Sequence, residues 1–421
     1  MTPLALLHPS GVVRRALVVG EAAARYIGSG LPAADGDAPA DVIVADESVV
    51  PSVVRERLAH DGFAYVVSSR TGQRRIADST GLEVAFRVVH VGERAQPRYL
   101  VPAKPATVRW ALCHLSQSRR AAWARVVPSL AGRATSAVAL RHRDAPPLGA
   151  WLDVDAGDVI VGRSAALVLQ RGDLSLVVKP NGAEREALRS LAPTARAAGA
   201  DVPEIVRDEP VLVQTGLRGM PAAVALSHSS GRHPQLEREV SAWLVRWNTA
   251  TAVERPLSGD VLRRELLDPA RSAGVTDTYA TWIEQRCREL EGTQTKLVAA
   301  HNDLTTANVL VGGNAPIGVV DWEVAEKQAL PFKDLHYALA DIRAARGAFR
   351  DTLGAFRASL ADDTHEDALR AALHVEPAVV DLCFHACWLR HAANEASSGS
   401  SERRFRAIIA TIARERLRMD G

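Results

Sequence analysis

Residues Leu297–Asp341 read LVAAHNDLTTANVLVGGNAPIGVVDWEVAEKQALPFKDLHYALAD. Two short apolar runs in this stretch, Val309–Val311 and Gly318–Val320, bracket a turn and predict a strand pair within a region of helical pattern. Ahead of the first run stand His301, Asn302 and Asp303, and Asn308 follows Asp303 after five positions. Behind the second run stands Asp321, thirteen positions after Asn308. A single aspartate at a strand end, or a single asparagine in a loop, reads as a turn or cap residue. The spaced trio reads differently. It supplies hard oxygen donors of the kind magnesium takes together with phosphate and water, and a carboxylate that can accept a proton from a hydroxyl.

The form H-x-D-L-x-x-x-N-V-L followed by D-W-E resembles the catalytic and metal-binding segments of the protein-kinase-like fold, in the version found in the aminoglycoside phosphotransferase and choline kinase family. The resemblance covers about residues 150–421. It implies an α+β, bilobal kinase-like fold, with a small β-rich N-lobe before a larger helical C-lobe. It further implies that Asp303 accepts the proton of a substrate hydroxyl and that Asn308 and Asp321 hold Mg2+. His301 is then expected to brace the catalytic loop through hydrogen bonds. The phosphate donor is ATP, with GTP as the alternative. Pro331–Leu335 resembles the P-x-x-D-L segment of the same family, in which the aspartate, here Asp334, ties the metal loop to a helix.

The donor half of such a site is expected in the small lobe. Val159–Val161, Ala165–Gln170 and Leu174–Lys179 read as strands, with Arg171, Gly172 and Asp173 turning the second hairpin. The lysines are Lys104, Lys179, Lys296, Lys327 and Lys333, in a chain whose positive charge is otherwise arginine. Lys179 ends the apolar run LSLVVK, where a kinase lysine reaches the α- and β-phosphates. Glu186 is the expected partner and Glu184 the alternative, although seven positions is a short interval for this fold. Gly162, Arg163 and Ser164 stand where a glycine-rich loop would cover phosphate; with one glycine present, Ser164 or backbone N–H groups take that part. Leu212–Leu217 reads as the hinge against adenine, which makes Gln214, Thr215 and Leu217 candidate nucleotide contacts.

Four segments are expected: an α/β accessory domain at 1–104, a helical linker at 105–149, the N-lobe at 150–218 and the helical C-lobe at 219–421. In the first, Ala16–Gly20, Asp41–Ala45, Phe63–Ser68 and Leu82–Val91 read as strands, largely parallel, with a helix at Val50–His60. The order is similar to the later half of a methyltransferase-type Rossmann domain. LVVGEAAARYIGSG nevertheless lacks the G-x-G-x-x-G spacing of a dinucleotide site, so a structural or docking role is favoured.

Composition excludes other classes. The chain has 421 residues, 47% hydrophobic and 24% charged, with a net charge of +2. That gives no strong positive field for nucleic acid, and no apolar run reaches the roughly 20 residues of a membrane span. Four cysteines in such a length do not make a disulfide framework, and a cytoplasmic setting is expected. Cys383, Cys387 and His391 recur at helical spacing, but three ligands on one helix do not wrap a tetrahedral zinc, so a packed helix is expected. Asp260, Glu265, Asp268 and Asp277 alternate with Arg263, Arg264 and Arg271, a balanced surface that favours a neutral sugar, cyclitol or nucleoside-like alcohol over a polycationic aminoglycoside. The acceptor is a small molecule bearing a hydroxyl. The alternative is a kinase-like binding or regulatory module without turnover.

Overall fold

The computed structural model describes residues 8–10, 12–19, 37–46, 49, 51–89, 99–115, 137–146, 157–162, 165–179, 182–209, 211–226, 233–312, 315–344, 364–397 and 404–419. The chain divides into two compact units, Met1–Gly182 with Glu204–Arg218, and Ala183–Pro203 with Gly219–Gly421.

Among the described residues, the first unit is organised by one sheet of eleven strands. In chain order these are β1 (Ala16–Val19), β2 (Ala40–Asp46), β3 (Leu58–Val67), β4 (Glu83–Val89), β5 (Tyr99–Pro102), β6 (Ala137–Arg141), β7 (Asp158–Gly162), β8 (Ala166–Gln170), β9 (Asp173–Lys179), β10 (Ile205–Arg207) and β11 (Leu212–Thr215). Their order across the sheet is β1-β2-β3-β6-β4-β5-β7-β8-β9-β11-β10. Among the described residues, only the β1-β2 and β2-β3 pairs of this sheet are parallel. The expectation of a largely parallel layer therefore holds for three strands and fails from β6 onward, where every pairing is antiparallel.

The segment expected to be a helical linker contributes to this sheet. Its start is helical, Pro105–Leu115, but Ala137–Arg141 is an interior strand between β3 and β4. Its residues Ala137 through Leu140 are all buried, so the strand lacks the apolar–polar alternation that would have marked it. The sheet also runs without interruption across the boundary drawn at 150, because β5 pairs with β7 through Tyr99–Gly162 and Leu100–Val161. One apolar layer continues along it from Val42 and Phe63 through Leu100 and Val159 to Val178 and Val213. Helices α1 (Pro51–Arg57) and α2 (Arg70–Thr80) cover the far face near β2 and β3. Helix α3 (Pro105–Leu115) packs Val108, Ala111 and Leu112 against Val101, Ile160 and Leu169, and so joins β5 to β7 and β8.

The β8–β9 hairpin turns where expected. Arg171 and Gly172 have φ of 52° and 89°, the paired positive values that a two-residue turn needs to match strand twist. Lys179 ends β9 opposite Leu212 of β11.

The second unit is mainly helical. It comprises α4 (Arg185–Ser190), α5 (Ala192–Ala197), α6 (Ala222–Leu226), α7 (His233–Thr251), a helical run over 259–273 called α8, α9 (Asp277–Leu290), α10 (Lys333–Ala344), α11 (Thr364–Leu373), α12 (Pro377–Ser397) and α13 (Arg404–Met419). Within α8, Arg263–Leu267 forms a π-helical turn. Helix α12 is apolar nearly all round and runs buried through the unit. The strand island is present: β15 (Val309–Val311) lies between β12 (Met220–Pro221) and β16 (Gly318–Val319). Gly219 leads into β12 at φ 109°, and a Cβ there would stand 2.9 Å from the Val311 carbonyl, so only glycine fits the crossing. A second small sheet pairs β14 (Gln294–Ala300) with β13 (Val253–Pro256) and β17 (Glu326–Ala329). β14 leads into the loop that carries Asp303, and β17 follows Asp321.

Candidate active site

The loop between β14 and β15 is fastened at both ends to one face of α10. Asp334, in the first turn of that helix, accepts the backbone N–H of His301 at 2.6 Å and of Asn302 at 2.7 Å. Two turns later Asp341 accepts both the backbone N–H of Thr306, at 2.7 Å, and its hydroxyl, at 2.6 Å. Asp303 lies between these two attachments. The Asp334 carboxylate thus ties the loop that carries Asp303 to α10.

Asp303 is set by Asn308. The side-chain nitrogen of Asn308 donates to the Asp303 carbonyl at 2.8 Å and to its carboxylate Oδ2 at 2.9 Å. The Asn308 carbonyl accepts from Val320 N–H at 3.0 Å, which brings the end of β16, and with it Asp321, beside the loop. Burial, then the charge of Asp321, pushes the Asp303 carboxyl up to about 7; Asn308 opposes the shift and the more distant Asp341 and Asp334 add to it. Asp321 itself stands at φ 70° and Asn302 at φ 64°, left-handed conformations that non-glycine residues adopt where the surroundings hold them.

His301 is fully buried, and its Nε2 meets the Val320 carbonyl at 3.0 Å, a bond in which the ring nitrogen is the donor. Its ring stands edge-on to Trp322 at 5.0 Å. Trp322 donates to the Val319 carbonyl at 3.0 Å and meets Trp247 at 5.6 Å, which stacks on Trp243 at 4.9 Å. His301 thus sits in an aromatic column running from α7 into the DWE segment. It braces the strand end that carries Asp321.

In the first unit, Lys179 is 9% exposed and Gln214 2% exposed. Thr215 gives its backbone N–H to the Glu204 carbonyl at 2.9 Å, and its hydroxyl accepts from Glu204 N–H at 2.9 Å. Its N–H is therefore engaged within the sheet edge. Leu217 is half-buried. Gly162 closes a tight turn through its N–H to the Ala165 carbonyl at 2.8 Å, and a Cβ on it would meet the Tyr99 ring at 2.9 Å. Ser164 lies outside the described residues. Of the two glutamates in the second unit, Glu186 is exposed and bound by Lys327 at 2.7 Å, whose ammonium holds its carboxyl below the ordinary value. Glu184 is 1% exposed. The carboxylate that is buried in this stretch is the alternative, and the first choice is engaged elsewhere.

Residues not singled out in the sequence complete the site. Tyr337 lies on the α10 face between Asp334 and Asp341, one turn from each, and therefore under the loop carrying Asp303. Burial, then the charges of Asp303 and Asp341, pushes its hydroxyl well above its ordinary range. Its ring stacks on His391 at 3.6 Å and meets Phe405 at 6.0 Å. The spacing of Asp334, Tyr337 and Asp341 on one helix was the available signal. Glu265, expected on a mixed surface, is interior. Cys383 and Cys387 are buried with their thiols pushed up by desolvation, which suits packing and not the thiolates a metal requires.

Among the described residues, no group of three or more His, Cys, Asp or Glu side chains is placed to hold a metal ion, and no helix is long and apolar enough to cross a membrane. Asp321 and the side-chain amide of Asn308 are hard oxygen donors, the type magnesium takes together with phosphate and water.

No protein-family model matches the chain, and no curated protein matches it. Solved structures do. The macrolide 2′-phosphotransferase MphH from Brachybacterium faecium is 17% identical with a TM-score of 0.35, over 61% of this chain and 89% of that one. A choline/ethanolamine kinase family protein from Mesorhizobium loti is 15% identical with a TM-score of 0.32, over 61% and 90%. The choline kinase LicA from Streptococcus pneumoniae is 14% identical with a TM-score of 0.35, over 61% and 90%. The chain is thus similar to solved antibiotic phosphotransferases and choline kinase family proteins.

Proposed function

We propose that the protein is a small-molecule kinase that transfers the γ-phosphate of ATP, with Mg2+, to a hydroxyl of a sugar, aminoglycoside, cyclitol or nucleoside-like acceptor. The observation that carries this reading is the state of Asp303. A carboxylate with one oxygen fixed by Asn308 and a pKa near 7 is a base matched to neutral pH.

Asp303 Oδ2 is occupied by the Asn308 amide, and Oδ1 is the oxygen that receives the acceptor hydroxyl. It orients the hydroxyl and takes its proton as the new oxygen–phosphorus bond forms and the bond to the leaving diphosphate breaks. Asp321 and the Asn308 amide oxygen would hold the magnesium ion, which supplies neutralisation of phosphate charge. Lys179 would meet the α- and β-phosphates. Asp334 and Asp341 keep the loop from shifting, and His301 with Trp322 keeps the Asp321 strand end in register with it.

Within the acceptor class, neutral alcohols are favoured over polycations. Asp260 and Asp268 are paired with Arg263 and Arg271 on their own helix turn, and Glu265 faces inward, so these carboxylates are already matched. The test is magnesium-dependent ATP consumption across amino sugars, neutral sugars, cyclitols, nucleosides and amino alcohols, with Asp303→Ala as blank. A signal lost in the variant supports the reading. Nucleotide binding without consumption for any acceptor would instead support a regulatory module, and absence of nucleotide binding would sink the kinase reading.

A further inference from the structure

Behind the catalytic loop, the second unit buries a complete ion pair. Lys333 Nζ donates to Glu265 Oε2 at 2.5 Å, and each residue is 3% exposed. The other Glu265 oxygen accepts from Arg264 Nε at 3.2 Å and Nη2 at 3.0 Å, and Nη2 also reaches the Gln328 carbonyl at 2.8 Å. Burial alone would raise the Glu265 carboxyl, but Lys333 and then Arg264 outweigh it and hold it below the ordinary value.

A buried ion pair adds little stability over well-packed apolar side chains of the same volume. Here it also joins two unfavourable backbone conformations. Glu265 lies in a π-helical turn, a rare geometry that recurs at functional sites. Phe332, next to Lys333, is held at φ 68°, which a bulky residue avoids. Stability does not account for such an arrangement; location does. The residue after Lys333 is Asp334, whose two oxygens hold the His301 and Asn302 amides.

We infer that Glu265 and Lys333 are positioning residues for the catalytic loop: their pairing fixes the first turn of α10, and through it the Asp334 carboxylate that carries His301–Asp303. The inference rests on the proposed kinase reading for its turnover readout and is independent of it for amide exchange.

The test is the full chain with Glu265→Leu and Lys333→Met together, which replaces the pair by apolar side chains of similar size. The expected result is a thermal midpoint equal to or above that of the unchanged protein. Hydrogen exchange at the His301 and Asn302 amides should accelerate by about tenfold or more. Magnesium-dependent ATP hydrolysis with water as acceptor should fall in kcat by about ten- to a hundredfold with KM for ATP unchanged. Exchange at those amides equal to that of the unchanged protein, in a folded double variant, overturns the inference. Should the double variant not fold, Glu265→Gln keeps the shape and removes the charge; unchanged exchange there overturns the inference equally. Faster exchange in a protein that shows no ATP turnover in any form supports the positioning role and removes the kinase reading.

Discussion

Asn308 donates twice to Asp303, once to the main-chain carbonyl at 2.8 Å and once to the carboxylate at 2.9 Å. One side chain therefore fixes the loop conformation and the charge state of the base together. Its nitrogen lowers the Asp303 pKa against burial and against Asp321.

Removal of this amide should be visible in the pH dependence of turnover. The unchanged protein needs Asp303 as the carboxylate, so activity should rise with pH through about 7. Asn308→Ala deletes the side-chain hydrogen bond that favours the charged form, and the rise should move to higher pH as well as to lower maximal rate. A variant profile with its midpoint at or below that of the unchanged protein would contradict the assignment.

The same shift has a consequence for stability. Asp303 has a folded pKa of about 7 against an ordinary 3.8, so the folded protein binds this proton more tightly than the unfolded chain. Between about pH 4 and 7 stability therefore falls as pH rises, and the loss is complete above the folded value. Asp303→Asn removes the charge. At pH 8, without added metal, the variant should be more stable by on the order of 1–3 kcal/mol. The difference should shrink toward pH 4. Thermal midpoints of both proteins across this range check the sign.

Asp334→Ala leaves two buried backbone N–H groups without their acceptor, and each unpaired donor costs about 1–3 kcal/mol. The expected outcome is a lower thermal midpoint and a kcat reduced by about a hundredfold, since misplacement of Asp303 by an ångström is enough for that. Asp334→Asn keeps one acceptor oxygen and should fall between. Urea unfolding and steady-state turnover of the pair measure both effects.

The trio Asp303, Asn308 and Asp321 was legible because its chemistry is local: each residue sits at the end of a short apolar strand, and spacing along the chain maps onto spacing in the loop. The hairpin at Arg171–Gly172 was legible for a related reason, since a turn is decided by two residues. What escaped was everything decided by pairing at a distance. β6 has no alternation because its residues are buried on both sides of the sheet. The pairing of β5 with β7, which makes one sheet of two expected domains, leaves no mark in either strand. Glu186 looked like the natural partner of a lysine because it lies in the first turn of a helix, but that turn exposes it to Lys327 and buries Glu184 instead. The clamps on Thr306 and the ring of Tyr337 depend on the contact between α10 and the loop, which sequence spacing alone implies only once the loop is known to lie there.

Tyr337 provides the test of where the acceptor sits. Its ring is held flat against His391 and beside Phe405, and its helix position places it beneath Asp303. The proposed acceptor, with its hydroxyl at the Asp303 carboxylate, is expected to pack its ring or chain against this aromatic group. Tyr337→Phe preserves the surface and removes the hydroxyl; Tyr337→Leu removes most of the surface. Tyr337→Phe should alter KM for the acceptor by less than about threefold, whereas Tyr337→Leu should raise it by about tenfold, the loss of one aromatic contact worth 0.5–1.5 kcal/mol beyond area. KM for ATP should be unchanged in both. The contrast between the two variants isolates the ring: equal effects would assign the role to the hydroxyl, and a raised KM for ATP alone would place Tyr337 on the nucleotide side of Asp303.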